Sequence, residues 1–275
     1  MDRRIGVCSW SLRAETPQAL VDLVRRCGLD AVQLALGPMI DGAWDEAGTR
    51  SALDTSGIAV LSGMLDMVGE DYSTLESIAR TGGVKPDETW DANRRRVERA
   101  ADLASRLGLG LVTTHAGFLP ADKEDPVRVR MVDRLRWIAD AFGAHGVRVG
   151  LETGQEPARD MLGVVEELGR DTIGINFDPA NVLLYGVGEP IESFETLAPW
   201  VVQAHLKDAK PSGADGEWGE ETPIGQGDVD FARLFERIDA VAPGIDLVIE
   251  REAGGERIED VRAGAELARA SRGSA

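Results

Sequence analysis

The feature that most constrains this chain is a recurrence of eight short apolar runs along its 275 residues. They are Ile5–Cys8, Ala31–Leu36, Ile58–Met64, Gly110–Thr114, Val147–Glu152, Ile173–Phe177, Val201–Leu206 and Ile245–Glu250. Short runs that are apolar throughout, rather than at alternate positions, suit parallel strands covered on both faces. Most are separated by stretches with helical spacing. In the first, Thr16 can cap, Pro17 takes the first helical position, and Leu20, Leu23, Val24 and Cys27 share a face before Gly28 ends it. Another begins at Asp228 as cap and carries Phe231, Leu234, Phe235 and Ile238, and a third follows Pro126 with Met131, Leu135, Ile138 and Phe142 on one side. Strand and helix in alternation imply βαβ units. Eight of them in about 250 residues match an α/β chain folded as a (β/α)8 TIM barrel, with an open doubly wound sheet as the rival. No Gly/Ser linker divides the chain, which predicts one domain over 1–275.

If the strands are parallel, they all end at one mouth, and the residues there matter. The fifth to eighth runs close on Glu152, Asp178, His205 and Glu250. Three carboxylates crowded together would repel one another and be costly to desolvate, a problem that a divalent cation removes. Three oxygen donors and one imidazole favour Mn²⁺ or Mg²⁺, with Co²⁺ or Zn²⁺ as alternatives. The competing reading is structural: Asp178 caps a helix, the glutamates bind arginines, and His205 is a hydrogen-bonded core residue. Two connections, Asp66–Trp90 and Asp208–Gly227, are longer than a scaffold needs and would overhang the same mouth as substrate loops, unless their glycines are ordinary turns.

Composition narrows the function. Acidic residues number 48 against 30 basic ones, a net charge of −18, which repels polyanions and argues against a nucleic-acid partner. No apolar run approaches the roughly 20 residues that cross a bilayer. The opening MDRRIGVCSWSL lacks the apolar stretch of a secretory signal, and two cysteines, Cys8 and Cys27, read as small core residues rather than a disulfide framework, so a cytoplasmic setting is expected. Neither a Rossmann glycine fingerprint nor a P-loop is present (the GGVK at 82–85 has the wrong spacing), so no nucleotide cofactor is expected.

The segments LETGQE (151–156), NFDPANVLLYG (176–186), HLKDAK (205–210), PIGQGDVDF (223–231) and IEREAGG (249–255) resemble the sugar phosphate isomerase/epimerase superfamily, the xylose-isomerase-like barrels. The resemblance is strongest from about residue 108 onward. It implies that Glu152, Asp178, His205 and Glu250 bind the metal, that Glu152 and Glu250 also exchange protons with the substrate, and that relatives are often dimers or tetramers. Ketose 3-epimerases of the superfamily place a histidine where this chain has Asn181, and an arginine soon after the seventh-strand histidine, where this chain reads LKDAKPSG. The HLKD segment is closer to inosose dehydratases. Endonuclease IV-type DNA repair needs a cluster of zinc-binding histidines, and this chain has only His115, His145 and His205.

Other residues fall near the mouth with two readings each. Lys207, two past His205 and so on the same face, holds a substrate oxygen or pairs with Asp208 or Glu252. His115 closes the fourth strand as an acid/base or hydroxyl ligand, or as support behind one. Trp10 offers an apolar wall for a sugar ring, or is core. Gln155 and Asn181 bind substrate or orient metal ligands. Glu252 binds substrate or pairs with Lys207, and Arg251, between two acids, should face outward to a helix. The expected function is a metal-dependent isomerase or epimerase of a sugar or keto-sugar, phosphorylated or polyol-derived, working through an enediolate. The alternatives are a lyase of the inosose dehydratase or 3-keto-glycoside elimination type and, remotely, a non-catalytic barrel used for binding.

Overall fold

The computed structural model describes residues 3–214 and 216–271. Its strands are β1 (Ile5–Cys8), β2 (Ala31–Ala35), β3 (Ala59–Met64), β4 (Leu111–Thr114), β5 (Arg148–Glu152), β6 (Ile173–Phe177), β7 (Val201–Leu206), β8 (Asp208–Lys210), β9 (Glu220–Thr222) and β10 (Asp246–Ile249). The first seven and β10 form a closed barrel in the order β1-β10-β7-β6-β5-β4-β3-β2, with every neighbouring pair parallel. Closure excludes the open sheet. β8 and β9 form a small antiparallel ribbon outside it.

Each barrel strand is followed by a helix that covers it. Along a strand, side chains alternate between that helical layer and the barrel interior. Val7, Val32, Leu34, Val112, Ile175, Leu247 and Ile249 join the large core against the helices. Cys8, Ala31, Leu61 and Val248 form a separate small apolar cluster inside the barrel. Cys8 is thus buried as expected, but on the interior side.

The interior also carries uncharged polar groups, and buried polar groups need partners. Gln33 donates to Thr113 Oγ1 (2.8 Å), Ser62 donates to Gln203 Oε1 (2.6 Å), and Gln203 donates to Asn176 Oδ1 (3.0 Å). These bonds join β2 to β4, β3 to β7 and β7 to β6 across the barrel, below the mouth.

The first helix, Pro17–Arg26, starts as its sequence predicts: Thr16 Oγ1 accepts from the Ala19 amide, with Pro17 at the first position. The helix Phe231–Val241 is capped by Asp230, whose side chain accepts from the Arg233 amide, and not by Asp228. Asp228 has a tertiary role, its amide donating to Ala209 O (2.8 Å) in β8.

Both long connections are tightly held. The segment after β3 contains the helix Leu75–Thr81, with a reciprocal cap between Thr74 and Ser77. It presses on the loop after β4 at Gly83 and Gly117, which have φ of 60° and 85°. A Cβ at either glycine would run into the other loop's backbone, so the approach requires glycine. In the segment after β7, Asp208 accepts from the amides of Gly225 (2.8 Å), Gly227 (2.9 Å) and Val229 (3.1 Å). Among the described residues, no helix is long and apolar enough to cross a membrane.

Candidate metal centre and active site

The parallel register brings Glu152, Asp178, His205 and Glu250 together at the mouth, each buried, with one donor atom from each lying within 4.8 Å of all the others. His205 Nδ1 is 3.4 Å from Glu152 Oε1, 3.7 Å from Asp178 Oδ2 and 3.5 Å from Glu250 Oε2. Two of these atoms, Asp178 Oδ2 and His205 Nδ1, are buried with no hydrogen-bond partner among the described residues. Leaving such groups unpaired costs about 1–3 kcal/mol each. A divalent cation coordinated by both would remove that cost, so the donor set fits a metal.

Asp178 satisfies both readings of its sequence position at once. Its Oδ1 accepts from the amides of Ala180 (2.8 Å) and Asn181 (3.1 Å), capping the short helix Pro179–Leu184, and this turns Oδ2 into the site. His205 is fixed from behind. Its Nε2 lies 2.8 Å from Gln33 Oε1, 3.0 Å from Asn176 Nδ2 and 3.7 Å from Cys8 Sγ. With the proton on Nε2 donated to Gln33, Nδ1 keeps its lone pair for the site.

The two glutamates are held differently. Glu152 Oε1 accepts from Asn181 Nδ2 (3.2 Å), while Oε2 faces His115 Nε2 at 3.7 Å. Glu250 accepts from the Trp10 indole on Oε1 (2.8 Å) and from Lys207 on Oε2 (2.9 Å). Burial opposes the charge of both. For Glu152 the nearby His115 and His205 outweigh it and hold the carboxyl below its ordinary range, and for Glu250 Lys207 and His205 hold it well below. Burial likewise opposes the Lys207 charge, but Glu250, Glu252 and Asp178 raise it well above an ordinary lysine.

Lys207 reaches the mouth and bridges Glu250 to Glu252 (2.6 Å), while Asp208 turns away to backbone amides. Trp10 lines the cavity and also positions Glu250. His115 presents its ring edge-on to Tyr72 (centroids 5.9 Å apart) and leaves Nδ1 buried without a partner among the described residues. Asn181 lines the cavity. Gln155 does not; it is buried, and its Oε1 has no hydrogen-bond partner among the described residues. Arg251 faces Asp260 (2.9 Å) on the last helix and Glu221 (2.7 Å) on β9.

The cavity above the four donors holds about 740 Å³. Several of its walls escaped the sequence reading. Trp44, Met64, Tyr72, Tyr185 and Trp218 line it, and all but Met64 come from connections rather than strands. Tyr72 and Trp218 fall within the two overlong connections, Tyr185 within the NFDPANVLLYG segment and Met64 at the end of the third apolar run, but nothing local marks any of them as cavity wall.

The model of the xylose isomerase-like TIM barrel family matches residues 21–271. This chain belongs to that family. Among solved structures it is similar to a xylose isomerase domain protein from Planctomyces limnophilus, 30% identical with 92% of each chain covered and a TM-score of 0.86. A 3-keto-D-glucoside 4-epimerase from E. coli, in its apo form, shares the fold at 15% identity, covering 98% of this chain and all (100%) of that one, with a TM-score of 0.74. Among curated proteins, a 3-dehydroshikimate dehydratase from Bacillus anthracis is 26% identical over 160 residues, 52% of this chain and 57% of the relative. The matches span about half the length of the curated relatives.

Proposed function

We propose that this chain is a divalent-metal-dependent isomerase or epimerase that abstracts the proton α to the carbonyl of a sugar or keto-sugar and works through an enediolate. The observation that carries the reading is the convergence of Glu152, Asp178, His205 and Glu250 with Asp178 Oδ2 and His205 Nδ1 left unpaired. A divalent ion held there would polarise the substrate carbonyl and acidify the adjacent carbon.

The chain's own residues supply the proton chemistry. Glu152 keeps Oε2 free of any hydrogen bond among the described residues and takes the α-proton. His115, on that side, hydrogen-bonds a substrate hydroxyl. Glu250, oriented by Trp10, relays to the opposite face of the carbon a proton drawn from Lys207, which regains one from solvent as Glu152 releases its own. Lys207 offers its remaining N–H to the oxygen on which negative charge grows.

A second reading, a lyase, has one observation in its favour. Lys207 spans Glu250 and Glu252 at the mouth, where an ammonium can protonate a departing β-oxygen. Similarity to a dehydratase points the same way. Incubation of ketoses, inososes and 3-keto-glycosides with Mn²⁺ in D₂O, followed by NMR, tests both. Deuterium at the α-carbon with the formula retained is expected. Loss of water or of an aglycone would move the assignment to the lyase, and an inert panel with no affinity for divalent ions would overturn both.

A further inference from the structure

The cavity's charge inventory bears on the substrate. Beyond the metal donors, its lining contains the carboxylates of Asp41, Asp66, Glu70, Glu221 and Glu252, against Lys207 and His115 as the only basic side chains among the described residues. All five acids are partnered, two of them by one shared arginine. Arg96 binds Asp41 (2.6 Å) and Asp66 (2.8 Å), Arg251 binds Glu221 (2.7 Å), and the amides of Met67 (3.2 Å) and Gly83 (2.9 Å) bind Glu70. Glu252 takes Lys207, which is also committed to Glu250. The one N–H that Lys207 has left is assigned above to the reacting oxygen, so no further lining arginine or lysine among the described residues receives a phosphate or carboxylate, and the acids would repel one.

Size and wall chemistry add to this. Pockets of about 300–1,000 Å³ enclose drug-sized ligands, so about 740 Å³ leaves much of the space unfilled around a lone six-carbon sugar. The remaining wall is apolar: Pro38, Trp44 and Met64 from the β2 and β3 side, and Leu184, Tyr185 and Trp218 from the β6 and β7 side. These surfaces are set independently of the metal donors. The Trp44 indole donates to Glu15 O (3.0 Å), Trp218 packs edge-on against Tyr185 (4.8 Å), and the neighbouring Gly219 amide donates to Leu184 O (3.0 Å). Two preformed apolar surfaces, lining the same cavity as Glu152 and Glu250, fit a ligand that is polar at its reacting end and apolar beyond it.

We infer that the substrate is uncharged and bipartite: a keto-sugar whose hydroxy-carbonyl end faces the four donors, carrying an apolar, preferably aromatic, substituent that occupies the upper cavity between the two walls. The inference rests on the keto-sugar reading above for its reactive end only. It excludes sugar phosphates as the preferred substrates.

The test compares methyl 3-keto-β-glucoside, phenyl 3-keto-β-glucoside and 3-keto-glucose 6-phosphate with the Mn²⁺-loaded protein in D₂O, scoring α-deuterium incorporation and aglycone release together. The unreactive phenyl β-glucoside is titrated in parallel against glucose by quenching of tryptophan fluorescence. The phenyl compound is expected to exceed the methyl one by about tenfold or more in kcat/KM, and the phosphate to fall about tenfold below it. Trp218→Ala should shrink the phenyl-to-methyl ratio to within about threefold. Equal turnover of phenyl and methyl compounds, preference for the phosphate, or an unchanged ratio in the variant would overturn the inference while leaving proton abstraction standing. If none of the three reacts, proton abstraction on keto-sugars fails, and the titration alone decides the cavity: phenyl β-glucoside binding about tenfold tighter than glucose upholds the bipartite pocket, and equal binding overturns it.

Discussion

The two halves of the barrel have the same backbone and different chemistry. From β1 to β4, the inward side chains are uncharged: Cys8, Gln33, Ser62 and Thr113. From β5 onward the strands deliver Glu152, Asp178, His205, Lys207 and Glu250 to the same mouth. In the proposed reaction the first half supports and encloses, and the second half carries the protons. Yet the halves are joined at single atoms. Gln33 of β2 holds His205 of β7, and Trp10 after β1 holds Glu250 after β10. The division is one of charge, while positioning is shared.

The sharpest way to break this comparison is to neutralise each glutamate of the reacting half. Glu152→Gln and Glu250→Gln should each lower kcat/KM by about 10²–10⁴-fold, with circular dichroism unchanged. Near-normal α-proton exchange in either variant would remove that residue from the proton-carrying role.

A smaller effect separates the acids proposed to carry protons from a neighbouring buried acid. Glu156 lies four residues past Glu152, accepts from the Leu119 amide through Oε1 (3.0 Å), and has Oε2 buried without a partner among the described residues. Burial pushes its carboxyl up from 4.5 to about 7. Because the folded value is the higher one, its stabilising contribution is full below pH 4.5 and is lost as pH rises through about 7. Glu156→Gln should therefore match the native protein in stability near pH 4.5 and exceed it by up to about 3 kcal/mol at pH 8, read from denaturant midpoints. A gain that does not change with pH would mean the carboxyl is not the cause.

The smallest effect tests the shared positioning. Gln33→Leu keeps the bulk but removes the acceptor behind His205 Nε2, and should weaken Mn²⁺ binding by about 10–100-fold in calorimetry. The same substitution should shrink the rise in Tm that added Mn²⁺ produces. Unchanged affinity would confine the metal site to the second half.

How much of this was legible in the sequence follows from its physics. Strands buried on both faces must be apolar, so a carboxylate or imidazole at the end of such a run stands out, and Glu152, Asp178, His205 and Glu250 did. Lys207 followed by strand alternation from His205. The contacts that give these residues their settings were not legible, because they join positions far apart in the chain: Trp10 with Glu250 across 240 positions, and Gln33 with His205 across 172. Gln33 sits in a run that reads as an ordinary buried strand, and nothing local marks its amide as a histidine's partner. Local propensity allows Asp228 or Asp230 to cap the helix that begins at Phe231, and in the fold it is Asp230 that does so while the Asp228 amide bonds Ala209. Gln155, two residues past the Thr153 that follows Glu152, does not line the cavity, because beyond the strand alternation no longer dictates direction.

By itself, then, the sequence determined the repeated parallel βα units, the common end at which the strands finish and the four donors placed there. Each of these depends on local hydrophobic pattern and strand direction, whereas closure of the sheet was settled by the tertiary structure. Only the tertiary structure decided which atom of each donor faces the centre, how the cavity's acids are neutralised, and which aromatic rings from distant loops wall it. Those outcomes depend on side chains meeting across the barrel, where a hydrogen bond or an ion pair selects one orientation among several that the local chain allows.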